Sequence, residues 1–256
     1  MTSKKPLILV TNDDGITAKG IRSLIEAVKP FGDIVIVAPD KPQSGMGHAI
    51  TVNNPLRLVK SRLYSEYEAY MCSGTPVDCV KLGIYEVLKK KPDLLVSGIN
   101  HGENSSTNVL YSGTMSAAVE GAMEQVPSVG FSLMDFSADA DFTVSKEVVK
   151  QVVQQMLTQS FPLGTCLNVN IPKCTLEEFK GIQICRQGKA HWEDKFDKRL
   201  DQFGNPYYWL TGEFKATDKG ADADTMALLK NFASVVPTQF DMTAHHLIEE
   251  LNKWKF

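Results

Sequence analysis

The 256-residue chain has no apolar run approaching the roughly 18 residues that a membrane span needs. It has five cysteines, Cys72, Cys79, Cys166, Cys174 and Cys185, an odd number with no CxxC pair. That speaks against a disulfide framework and a structural zinc site, and for reduced, packed thiols. It has no excess of positive charge: 27 Lys+Arg against 30 Asp+Glu leave a net charge of −3. A protein that coats polynucleotides is usually basic, so no polynucleotide partner is expected. There is no glycine-lysine phosphate loop and no GxGxxG after a strand, so nothing supports a nicotinamide or flavin cofactor. The opening MTSKKP lacks the apolar stretch and small-residue cleavage site of a signal segment. There is no internal repeat and no low-complexity segment. The expectation is a soluble, cytoplasmic protein without membrane contact.

What the chain does have is ordinary globular composition, 43% hydrophobic and 22% charged. Its length suits one α/β domain that buries most of its unfolded surface without staples. Short apolar runs at 6–10 (PLILV), 33–39 (DIVIVAP) and 92–100 (PDLLVSGIN) have the character of strands buried on both faces. Helical periodicity over 18–30, with Ile21, Leu24, Ile25 and Val28 on one side, makes the first two a β–α–β unit and predicts a mainly parallel sheet. LRLVK and EAYMC predict two shorter strands. Helices are predicted over 75–90, 114–125 and 143–158, with strands at PSVGFSL and CLNVNIP. From about 186 the sequence turns aromatic and mixed in charge around FGNPYY, the pattern of a projecting hairpin. A helix, a strand and a C-terminal helix follow. The expected architecture is Rossmann-like: one domain with its core at about 1–185 and 221–240, an arm at about 186–220 and a closing helix at about 243–254.

Ligands of open α/β sheets bind beyond the carboxyl ends of the strands. Three polar loops follow the three apolar strands: Asn12, Asp13, Asp14 and Gly15 in one, Gln43, Ser44, Gly45 and Gly47 in the next, and Ser97, Gly98, Asn100, His101, Gly102 and Asn104 in the last. Adjacent carboxylates repel and are costly to desolvate, so Asp13 and Asp14 call for a cation. The donors are oxygens, which suit Mg²⁺, Mn²⁺ or Ca²⁺ rather than zinc. The competing reading is a plain turn in which Asp14 caps the next helix.

Ser112, Gly113 and Thr114 precede the helix predicted over 114–125. A helix N-terminus binds phosphate through free N–H groups, and a Ser or Thr there also serves as an ordinary cap. Asp241 and His245, four apart at the start of the last helix, share one face. They form either an acid–base pair or a cap beside a surface histidine. His48 and His101 lie in the polar loops and are read as substrate contacts. The aromatics of the arm serve base stacking or, better, an oligomer contact.

Four stretches, ILVTNDDGITAKGI, VAPDKPQSGMGHAIT, SGTPVDCVKLG and PDLLVSGINHGENSSTNVLYSGTMSAAVEGA, together resemble the SurE family, the survival-protein-E nucleotidases. They occur in order across roughly the first half of the chain, and VPTQFDMTAH adds a looser match near the end. The resemblance implies a Rossmann-like, metal-dependent phosphatase acting on nucleoside monophosphates at 5′ and, as a second class, 3′ phosphates. It implies one divalent ion per subunit, Mg²⁺ or Mn²⁺, held by Asp13, Asp14, Ser44 and Asn100. It also implies a homodimer or homotetramer using the arm and the C-terminal helix. Two positions depart from the family pattern: GMGHAIT follows Ser44 where a serine-rich loop is expected, and Ser116 stands where a smaller residue is common.

On this reading Asn104, Ser112, Gly113 and Thr114 hold the phosphate. Asp13 or Asp14 takes the proton of the attacking water, and His245 with Asp241 protonates the leaving group. Two other classes stay open: a phosphoacceptor domain, and a silent metal- and nucleotide-binding oligomer.

Overall fold

The computed structural model describes residues 5–255. Residues 1–4 of the MTSKKP stretch, and Phe256, lie outside the described residues. The first β–α–β unit forms as the sequence predicts: β1 (Leu7–Thr11), α1 (Lys19–Val28) and β2 (Asp33–Pro39). β3 (Leu58–Lys60) and β4 (Glu68–Cys72) follow the long loop after β2.

The helix predicted over 75–90 divides. α2 (Pro76–Leu82) begins with a capping box between Thr75 and Asp78, and a π-helical turn then runs from Gly83 to Leu88. The division falls at Gly83, where a Cβ would come to 3.0 Å from Leu9 Cδ2, so the helix lies close on β1 at the point where its winding widens.

β5 (Leu94–His101), α3 (Gly113–Met123), β6 (Ser128–Leu133), α4 (Thr143–Thr158) and β7 (Thr165–Ile171) complete the core. The loop between β5 and α3, predicted to be irregular, contains a 3₁₀ turn, Ser106–Tyr111. The strand β8 (Ile182–Ile184), the arm strands β9 (Ala190–Leu200) and β10 (Pro206–Ala216), α5 (Asp224–Leu229), β11 (Ala233–Gln239) and α6 (His245–Leu251) follow.

The nine-stranded sheet has the order β3-β4-β2-β1-β5-β6-β7-β11-β8. From β4 to β7 neighbouring strands are parallel, while β3 runs antiparallel to β4 and β11 to β7, and β8 lies parallel to β11. Residues of β1, β2 and β5 alternate between two cores. Ile8, Val10, Ile36 and Val96 pack with α1 and α4 on one face; Leu9, Val37 and Leu95 pack with α2 and α3 on the other. Burial on both faces is why these strands read as unbroken apolar runs.

The sheet places β2 and β5 on either side of β1, so the three polar loops converge at one rim, where the strand order reverses. β9 and β10 pair only with each other, as a separate two-stranded hairpin. No helix among the described residues is long and apolar enough to cross a membrane.

Candidate active site

Asn12 closes the turn after β1 by donating from Nδ2 to the Gly15 carbonyl at 2.9 Å. The Gln43 N–H donates to the Asp13 carbonyl at 2.8 Å, tying the loop that carries Ser44 to the same turn. Asp13 is 4% exposed. Its Oδ1 accepts from the Thr114 hydroxyl at 2.5 Å. A Cβ on Gly113 would meet Asp13 Cβ at 2.7 Å and Oδ2 at 2.9 Å, so only glycine lets this carboxylate lie against the first turn of α3. Burial pushes the Asp13 carboxyl up to about 6, and the neighbouring Asp14 charge adds to the rise against the Thr114 hydrogen bond.

Asp14 turns to the other side. Its Oδ2 accepts from the His101 backbone N–H at 3.3 Å and lies 3.1 Å from His101 Nδ1. His101, read from the sequence as a substrate contact, is here the residue that orients Asp14. Asn100 donates Nδ2 to the Gly102 carbonyl at 2.8 Å, which turns its oxygen away from that bond. β5 reaches Asn100 through Gly98, whose φ of +123° and whose approach to the Phe131 carbonyl, at 2.3 Å from where a Cβ would stand, both require glycine. Asp13, Ser44, Asn100, Asn104 and Ser112 all line one cavity of about 680 Å³ at the rim.

The residues read as phosphate contacts are each held by neighbours. Asn104 is drawn into the sheet: its backbone N–H donates to Asn170 Oδ1 at 2.7 Å, its Nδ2 to Ser132 Oγ at 2.8 Å, and its carbonyl accepts from Asn168 at 2.9 Å. Its amide therefore anchors the loop. Ser112 caps α3, accepting from the Met115 N–H at 3.0 Å. The Thr114 hydroxyl is engaged by Asp13. Ser116, one of the departures from the family pattern, bonds back to the Ser112 carbonyl at 2.6 Å and stays within the helix.

Asp241 and His245 bond each other, Nε2 to Oδ2 at 2.7 Å, as their spacing suggests. The Thr243 hydroxyl and N–H, with His245, hold the Asp241 carboxyl well below the usual range. Within one chain, however, this pair does not join the cavity. β11 runs antiparallel to β7 and ends with Gln239 opposite Thr165, at the edge of the sheet away from Asn100. Within one chain the helix-borne pair therefore stands apart from the rim donors.

His48 also takes a different role from the one expected. Its Nε2 lies 2.9 Å from Glu120 Oε2 on α3, and Lys81 of α2 pairs with the other oxygen at 2.5 Å. Burial works to raise the Glu120 carboxyl, but these two partners hold it below its ordinary value. The GMGHAIT departure thus latches the Ser44 loop to α3.

A family model, Survival protein SurE, matches residues 8–194. The chain belongs to the SurE family. It is 56% identical to the 5'-nucleotidase SurE of Christiangramia forsetii, over 99% of this chain and 98% of that protein. It is 59% identical to the protein of that name from Flavobacterium psychrophilum, over 98% of each. In structure it is similar to a SurE protein from Aquifex aeolicus, with a TM-score of 0.84 and 38% identity over 96% of this chain and 98% of that one. The Rossmann-like SurE fold read from the sequence is therefore the fold of this chain.

The SurE donor set also fits a hard cation. Asp13 is a buried carboxylate next to a second one, and among the described residues no lysine or arginine pairs with either. The Asn12 side-chain oxygen is buried beside them without a partner. Two carboxylates, a hydroxyl and an amide oxygen at one rim suit Mg²⁺ or Mn²⁺.

Proposed function

We propose that the chain is a metal-dependent phosphatase that hydrolyses nucleoside monophosphates to nucleoside and phosphate, a 5'-nucleotidase that also takes 3'-phosphates. The observation that carries this is Asp13: a buried carboxylate, adjacent to Asp14 and uncompensated by any lysine or arginine among the described residues, in the cavity that Ser44 and Asn100 also line. The names of the relatives support the substrate class.

Asp13, Asp14, Ser44 and Asn100 would hold one Mg²⁺ or Mn²⁺ ion per subunit. Bound there, the ion supplies charge to the phosphate oxygens and a more acidic water. Thr114 and His101 fix the two carboxylates, so that one oxygen of the pair is free to take a proton from the attacking water. The N–H groups at the start of α3, Gly113 and Thr114, face the incoming phosphate and stabilise its developing charge, beside Ser112. Asn104 keeps the loop in register.

The same reading takes the chain as a single cytoplasmic domain, with a core at about 1–185 and 221–240, an arm at about 186–220 and a closing helix at about 243–254. It takes the active form as a homodimer or homotetramer. No residue of α6 is buried. The hairpin exposes Phe196, Leu200, Phe203 and Trp209, apolar surface of the kind that subunit contacts cover.

Phosphate release from a panel of nucleoside 5'- and 3'-monophosphates, measured with Mn²⁺, with Mg²⁺ and with EDTA, tests the function. Metal-dependent release is the expected result, and the ranking within the panel gives the specificity. No release under any metal puts the silent nucleotide-binding module in its place.

A further inference from the structure

The rim cavity is larger than its hydrolytic end requires. A phosphate, one ion and four waters, counted at about 30 Å³ each, fill about 200 Å³ of the roughly 680 Å³ present. The remainder runs under the arm, where Trp192, Asp194, Leu210 and Gly212 line it.

The register of the hairpin explains this wall. Trp192 pairs with Phe214, Asp194 with Gly212 and Phe196 with Leu210, so all six share one face. At Gly212 a Cβ would meet the Glu193 carbonyl at 2.7 Å, so glycine lets the two strands close up here and leaves no side chain between the aromatic pair and Leu210. Trp192 is held firmly. Its indole N–H donates to Asn108 Oδ1 at 2.7 Å, and its ring centroid lies 5.5 Å from that of Phe214.

The arm is in turn fixed to the loop beside the site. Buried Asp224 accepts from the Ser106 N–H at 2.7 Å and from the Gly188 N–H at 2.9 Å, and the Ser106 hydroxyl donates to the Gly188 carbonyl at 2.7 Å. With its oxygen engaged by Trp192, Asn108 has its amide hydrogens left to donate.

We propose that this wall is the nucleoside subsite. The base lies against the Trp192 indole, beside Gly212, and the Asn108 amide donates to an acceptor on its edge. The inference rests on the nucleotidase reading and deepens it, because a stacking wall requires a base while tolerating any base, since each has a π-face.

The test compares kcat/KM for AMP and CMP with that for ribose 5-phosphate, in saturating Mn²⁺, for the wild type, Trp192→Ala and Trp192→Phe. The wild type is expected to prefer the nucleotides. Trp192→Ala is expected to cut that preference about ten- to hundredfold, mainly through KM, and Trp192→Phe to keep most of it. A nucleotide-to-sugar-phosphate ratio that Trp192→Ala leaves unchanged overturns the subsite while the nucleotidase reading stands. Absence of release from any nucleotide by the wild type overturns both.

Discussion

The Thr114 hydroxyl donates to Oδ1 of Asp13 across 2.5 Å, joining the first turn of α3 to the loop after β1. Both residues are buried. A hydrogen bond to a charged group contributes about 1.5–3 kcal/mol, so Thr114→Val is expected to lower kcat/KM about ten- to hundredfold. It should also move the acid limb of the pH profile upward, because the bond favours the ionised carboxylate. Thr114→Ser keeps the donor and should stay near wild type. A pH–rate profile of the three proteins checks this.

Burial holds the Asp13 carboxyl near 6 in the folded chain, against 3.8 for the free group. A raised acid stabilises the fold fully below its unfolded value and loses that contribution as pH rises through its folded one. In chelator, stability should therefore fall by about 3 kcal/mol between about pH 4 and pH 7 on account of this residue. Asp13→Asn should lose that slope. Urea midpoints of the two metal-free proteins across this range give the difference directly.

His48 lies four residues beyond Ser44 and contacts Glu120, which is 2% exposed. His48→Ala removes one tie of the Ser44 loop and leaves others in place, among them Gln43 to the Asp13 carbonyl and Thr75 to the Ala49 carbonyl. The expected result is weaker Mn²⁺ binding, by several-fold, with stability lowered by no more than about 1 kcal/mol because the histidine is partly exposed. Titration of Mn²⁺ followed by its paramagnetic resonance measures the affinity apart from turnover.

The parts legible in the sequence were those whose signal is local. β2 and α4 fall where apolar runs and helical periodicity put them, because central parallel strands and amphipathic helices record their surroundings in their own residues. The oxygen donors at the rim were legible for a related reason: each lies in a polar loop that follows an apolar run. Partners across the sheet were not. Asn104 reads as a free amide until Asn170 and Ser132 arrive from β7 and β6, 66 and 28 residues away.

The Asp241–His245 bond was visible in the spacing, but its position was not. That depends on β11 running against β7, which a mainly parallel reading does not supply. β8, three residues long, gains its order only by pairing with β11. Family resemblance supplied the choice of Ser44 among the loop's polar residues, which spacing alone left open.

Every donor gathered at the rim comes from the stretch between Asp13 and Thr114, whereas the far wall of the cavity comes from a hairpin that hydrogen-bonds to no other strand. On the proposed subsite, hydrolysis and most of the choice of substrate fall to different pieces of the gene, which meet at Asn108 and Trp192. Selection can redraw the hairpin, residue by residue or whole, without disturbing the apparatus that breaks the phosphate ester, and a recombinant chain carrying another relative's hairpin would inherit its taste along with it.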